Sequence, residues 1–277
     1  MLRLLAVTLA LVGLVAPTAS AAGQTDLPFT GLTDPNAVAV AANGDVYVTD
    51  AGHRRVVKLA AGSDAQTEVP FTGLQNLTGI AVDGGGSVYV TYFTDGNPFV
   101  GKVVKLEAGT NVQSELPFTD LVDPRAVTVD AGGAIYVADR RKHQVQKLAT
   151  GSTSPTVLPF TGLEFAQGVA VDGAGGVYVT DTRTNDNRVV KLAGSNQTTL
   201  PFTGLSQPDG IAVARDGRVY LTDANTRKVL TLAPGATGQT ELPVAGLNSA
   251  GGIAVDAAGN VYVTDPMHAR VVKVAAG

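Results

Sequence analysis

The sequence predicts an all-β fold, a six-bladed β-propeller, and three observations carry that reading. An L-P-F-like triplet recurs at Leu27-Pro28-Phe29, Val69-Pro70-Phe71, Leu116-Pro117-Phe118, Leu158-Pro159-Phe160, Leu200-Pro201-Phe202 and Leu242-Pro243-Val244, at spacings of 42, 47, 42, 42 and 42 residues. Each unit holds four short runs rich in β-branched residues, separated by Gly, Asp and Pro turns. After residue 22 no apolar pattern of period 3.6 reaches helical length. A fixed period of 40-odd residues with four strands per unit is the signature of a propeller blade.

The chain opens with a different kind of segment. Arg3 precedes an apolar run of 12 residues, Leu4 to Val15, and Ala19-Ser20-Ala21 is a small-x-small cleavage site. That order reads as a secretory signal peptide over residues 1–21. The run is too short to span a bilayer, which takes ~20 residues. Residues 22–277 are then the propeller, exported to the cell surface or beyond, with no transmembrane segment.

Each unit parses in the same order. T-G-L and a Pro-containing turn lead into a small apolar strand such as Ala37-Val38-Ala39-Val40 or Gly210-Ile211-Ala212-Val213. Small residues suit the inner strand, where blades crowd around the channel. A tight turn such as Asp83-Gly84-Gly85-Gly86 follows, as a short hairpin requires. Next come G-x-V-Y-V-T-D and R-V-V-K-L, as in Val46-Tyr47-Val48-Thr49-Asp50 and Arg55-Val56-Val57-Lys58-Leu59, two strands of high β propensity. The outermost strand, such as Gln66-Thr67-Glu68-Val69, ends in Pro, which an edge tolerates. The sixth unit has three strands, ending at Arg270-Val271-Val272-Lys273-Val274, while Thr25-Asp26-Leu27-Pro28-Phe29 is an outer strand without a blade. The N-terminal strand is expected to complete the last blade, closing the ring and covering an aggregation-prone edge.

Composition narrows the function classes. The chain has no Cys, which removes disulfides, thiolate metal sites and a cysteine nucleophile. Its formal charge of −4 argues against nucleic acid as a partner. No serine-hydrolase elbow, P-loop, H-E-x-x-H or EF-hand pattern is present.

The motifs G-I-A-V-D, G-x-V-Y-V-T-D, R-V-V-K-L and L-P-F-T-G-L resemble the NHL repeat, over residues 25 to 277. Their wording is similar to the extracellular sensor propellers of mycobacterial serine/threonine-protein kinases. The kinase motifs themselves are absent. The resemblance implies a rigid, ligand-sensing or adhesive module.

Residues that recur at one register of the repeat are read as scaffold: the six Tyr from Tyr47 to Tyr262, the five Phe of the triplets, and the five V-Y-V-T-D aspartates with the Arg or Lys that opens the next strand in four blades. Residues that break the repeat are the candidates for function. Tyr92, Phe93 and Phe99 belong to an enlarged hairpin loop of blade 2, and Phe165 to the loop entering blade 4, all on one face, called here the upper face. A second set rims the channel mouth on that face: Asn36, Thr78, Arg125, Gln167 and Asp209, with Gly251 in the sixth blade.

These residues lead to an expected non-enzymatic, monomeric binding module. It engages an extracellular protein, peptide or glycan with its upper face and uses no cofactor or metal. The alternative is a metal-assisted lyase or lactone hydrolase of the six-bladed type, some of which hold zinc or calcium in the channel through His, Asp or Glu. The three His fall in outer hairpin loops of different blades, which do not converge as metal ligands must.

Overall fold

A computed structural model describes residues 23–184 and 186–276. Residues 1–21, read from the sequence as a signal peptide, lie outside the described residues. Among those described, no helix is long and apolar enough to cross a membrane.

Six four-stranded antiparallel sheets form the molecule, and five of them run in chain order. Blade 1 shows the pattern: inner strand Pro35–Val40, second strand Val46–Asp50, third strand Arg55–Leu59 and outer strand Gln66–Val69. The sixth sheet takes its outer strand from the other end of the chain. Gln24–Asp26 pairs with Arg270–Val274, with Gln24 opposite Val274 and Asp26 opposite Val272. The predicted ring closure is therefore present. It also copies a contact made elsewhere by a blade's own outer strand. Gln66, Gln113, Gln197 and Gln239 each clasp the backbone of Thr30, Thr72, Thr161 and Thr203. Gln24 clasps Ala245 in the same way, at 2.8 and 3.0 Å.

The hydrophobic core lies between blades. Each of six clusters joins residues of two neighbouring blades, as where Tyr47 and Val56 of blade 1 meet Leu77, Val88 and Val90 of blade 2. The cluster between blades 6 and 1 includes Tyr262, Val271, Val48 and Val57, with Leu27 and Phe29 packed against it. The repeated Tyr serve this packing. Tyr89, Tyr136, Tyr178 and Tyr262 also donate through their hydroxyls to Asp83, Asp130, Asp172 and Asp256 at 2.8–2.9 Å. The V-Y-V-T-D aspartates have no exposed surface. Each accepts from two backbone N–H groups of the loop entering its blade, as Asp50 does from Thr33 and Asp34, and Arg55 Nε lies 2.9 Å from Asp50.

Candidate functional site

A one-residue bulge in the inner strands builds the site. In blade 3, Pro124 pairs with Asp139 and Ala126 with Ala138, so Arg125 is extra. Equivalent shifts occur at Asn36, Thr78, Gln167 and Asp209. A bulge turns one side chain out of the ladder and is a common device beside active sites. In four blades the freed N–H is met by the Thr of V-Y-V-T-D: Ala37, Gly79, Gly168 and Gly210 donate to Thr49, Thr91, Thr180 and Thr222. These hydroxyls also staple blades together, since Thr180 donates to Asp209 O at 2.7 Å and Thr222 to Gly251 O at 2.5 Å.

The bulged residues surround the mouth of the channel. Asn36, Thr78, Arg125, Gln167 and Asp209, together with Arg140 and Gln207, line a solvent-open funnel of about 210 Å³. Below them Val38, Ile80, Val127, Val169, Ile211 and Ile253 form an apolar floor. A few placed polar groups above apolar side chains are the general form of a small-molecule site.

Asp209 is the one carboxylate on this lining. Its backbone is pinned by Thr180, and blade 4 comes so close that a Cβ on Gly168 would collide with the Asp209 carbonyl oxygen. Burial in the funnel raises the Asp209 carboxyl above its ordinary value of 3.8, against the opposing charges of Arg125 and Arg140. Arg125 Nε is 3.0 Å from Asp123 Oδ1, and Arg140 and Arg141 approach the same carboxylate at 3.8 and 3.9 Å. Asp123 is only 6% exposed.

The predicted rim is brought together, but not every member is available to a ligand. Thr78 is 6% exposed and its hydroxyl lies within hydrogen-bond distance of Thr91 and of Pro124 O, so it serves the blade interface. The predicted aromatic loop is corrected more deeply. Tyr92 belongs to the strand Val88–Phe93, is 8% exposed and fills the slot that Asp holds in other blades. Phe93 ends that strand, and Phe165 begins the inner strand Phe165–Val171 rather than lying in a loop. Phe93 and Phe99 meet edge to face at 5.5 Å, and their neighbour is an arginine: Arg141 stacks on Phe99 at 5.0 Å. Arg140 stacks on Phe165 at 5.3 Å. These rings hold side chains of blade 3. The sequence reading missed Arg140 and Gln207 as funnel residues. The signal for Arg140 was present, because Arg140-Arg141-Lys142-His143 stands where other blades carry shorter-side-chain loops.

The alternative reading requires a test of the donor set for a divalent cation. Zinc or calcium wants several converging His or oxygen ligands. The funnel supplies one carboxylate, and Arg125 and Arg140 place positive charge beside it. His53 and His268 are bonded at 2.8 Å to Asp50 and Asp265. Among the described residues no three His, Asp or Glu side chains gather as a metal site. These residues do not fit a resident divalent cation.

Comparison with known proteins now bears on this geometry. The NHL repeat matches residues 32–59, in blade 1. The narrower likeness to kinase sensor propellers has no counterpart in that match. No curated protein sequence matches the chain. A gluconolactonase from Xanthomonas campestris superposes with a TM-score of 0.72 at 16% identity, covering 91% of this chain and 89% of that one. Virginiamycin B lyase from Staphylococcus aureus gives 0.62 at 17% identity, covering 87% and 80%. A chain of a nidogen/laminin complex gives 0.70 at 20% identity, covering 80% and 86%. At these identities the likeness shows the propeller fold. The SMP-30/Gluconolactonase/LRE-like region matches residues 91–277, two thirds of the chain. That match, beside lyase and gluconolactonase neighbours, overturns the expectation of a non-enzymatic module. The chain belongs to the SMP-30/gluconolactonase/LRE-like family.

Proposed function

We propose that this protein hydrolyses a lactone of a polyhydroxylated acid in the upper funnel. One observation carries the reading: a single, half-buried carboxylate of raised pKa shares the funnel with the guanidinium of Arg125. Family membership supplies the substrate class.

In this reading Asp209 takes a proton from water as the water oxygen bonds to the lactone carbonyl carbon. A raised pKa makes Asp209 a stronger base than an exposed aspartate, closer to the working pH. Negative charge grows on the carbonyl oxygen, and Arg125 stabilises it in a partly desolvated site. The ring C–O bond then breaks, and the leaving oxygen recovers the proton from Asp209. The hydroxy acid leaves as a carboxylate. Asn36, Gln167 and Gln207 supply amide groups for substrate hydroxyls. Asn36 Nδ2 is committed to Leu77 O at 3.1 Å, which fixes the amide.

The test is turnover of a lactone panel by the purified chain, followed as proton release. Asp209→Asn should lower kcat by roughly 10²–10⁴-fold, the range a positioned acid–base group supplies, with an unchanged melting temperature. Wild-type turnover persisting in Asp209→Asn would remove the mechanism. Export, read from residues 1–21, accompanies this proposal and places the substrate outside the cytoplasm.

A further inference from the structure

Resting on the lactone-hydrolase reading, we infer that the funnel selects an anionic substrate. The lactone carries a carboxylate or phosphate away from its ring ester, and Arg140 grips that group. The inference comes from where the repeat breaks. The non-repeated residues Arg125, Arg140 and Arg141 of blade 3, Phe93 and Phe99 of blade 2, and Phe165 of blade 4 converge in one sector. In a repeat protein the shared residues build the scaffold, so departures gathered at one place mark what the scaffold serves.

Charge in this sector does not balance. Three guanidinium groups surround the single carboxylate of Asp123. The neighbouring Lys142 has its own partner, Asp120, at 2.5 Å. Arg125 Nε and Asp123 Oδ1 lie 3.0 Å apart but are poorly aligned for a hydrogen bond, and the buried Arg140 Nε has no hydrogen-bond partner within the protein. Such groups are few in native proteins, and each calls for a reason. An oxyanion entering the funnel would meet this surplus positive charge at Arg140, which lines it.

The arginines are also pre-organised. Arg140 lies on the ring of Phe165, and Arg141 on Phe99, which is braced edge to face by Phe93. A stacked guanidinium has lost its freedom before the ligand arrives, so less entropy is lost on binding. Its planar fork suits the two oxygens of a carboxylate or the face of a phosphate. Arg140 lines the funnel with Asp209, so one small molecule can meet both.

The test uses calorimetric titration of the full chain with three probes: D-glucarate for the carboxylate, 6-phosphogluconate for the phosphate, and D-glucitol as the neutral polyol. One of the anions, or both, should bind at least tenfold more tightly than D-glucitol, and the stronger one identifies the group. Arg140→Gln should lose that advantage with little change in melting temperature, while Arg140→Lys should restore part of it. Affinity for the anions should also fall with added salt. Equal affinity for anions and D-glucitol, or an anion preference untouched in Arg140→Gln, would overturn the inference. Hydrolysis is measured separately on the matching lactones. Absence of turnover with intact anion binding would sink the hydrolase reading and leave the anion site standing.

Discussion

Asp50, Asp139, Asp181, Asp223 and Asp265 are fully buried, and each ties the loop entering its blade to the second strand. At Asp50 burial pushes the carboxyl up, but the Thr33 N–H, His53 and Arg55 outweigh it and hold it below its ordinary value. Removing such a group leaves its donors unpaired. Asp265→Ala strands the Ser249 N–H, His268 and Arg270, and should cost about 3 kcal/mol, read from urea unfolding. Asp209 belongs to the same residue type and has the opposite balance, since burial wins and its carboxyl is raised. The repeat pattern made the anchoring aspartates legible as scaffold. Asp209 was legible as a departure at the rim, but not as a titrating group, because its burial depends on blades 3 and 4 closing around it. Tyr92 misled for a related reason. Its slot is polar in other blades, and the packing of blades 1 and 2 shows that the ring there is buried rather than presented to a ligand.

At the scale of elements, the strand order, the turn positions and the swapped N-terminal strand could all be read from the period. The sequence pattern carries the outer strand on to Phe29, but the structure shortens it. It ends at Asp26, and Leu27 and Phe29 turn inward to pack between blades 6 and 1. Deleting residues 23–30 removes that packing, the Gln24 clasp and the Asp26–Arg270 pair at 3.0 Å. Two partly buried apolar side chains alone are worth ~3–5 kcal/mol. The melting temperature should fall by roughly 10 °C, given ~2–4 °C per kcal/mol for a domain of this size. An unchanged melt would contradict the closed ring. The bulges were not legible. They arise from pairing register, and the Thr hydroxyls that absorb them are indistinguishable in sequence from ordinary strand Thr. The basic run Arg140-Arg141 stood out in the sequence, but its stacking did not, since Phe99, Phe93 and Arg141 meet only across a blade interface.

Over the whole molecule, the lower and upper faces divide the work. On the lower side, Asp83, Asp172 and Asp256 are each raised by burial and then brought below their ordinary value of 3.8 by hydrogen bonds from Tyr, backbone N–H and, for Asp172, Lys191. Together with Asp50 they favour the folded state in their charged form. Their stabilisation is complete above the unfolded-state value and is lost as pH falls through the lower folded-state values. The melting temperature should therefore hold steady down to about pH 4 and drop below it, measured by calorimetry from neutral to strongly acidic solution. The upper face carries the variation: an apolar floor, a ring of bulged side chains and one sector of stacked arginines.

The central claim is that Asp209 acts as the proton acceptor for an ester in this funnel. The pH dependence of kcat/KM for a lactone substrate tests it most directly, because the working form is the carboxylate and activity must fall as pH drops through its pKa. The acidic limb should have a midpoint above 3.8, the ordinary carboxylate value, and the residual activity of Asp209→Asn should show no such limb. An acidic limb at or below the ordinary value, or one that survives unchanged in Asp209→Asn, would contradict the account.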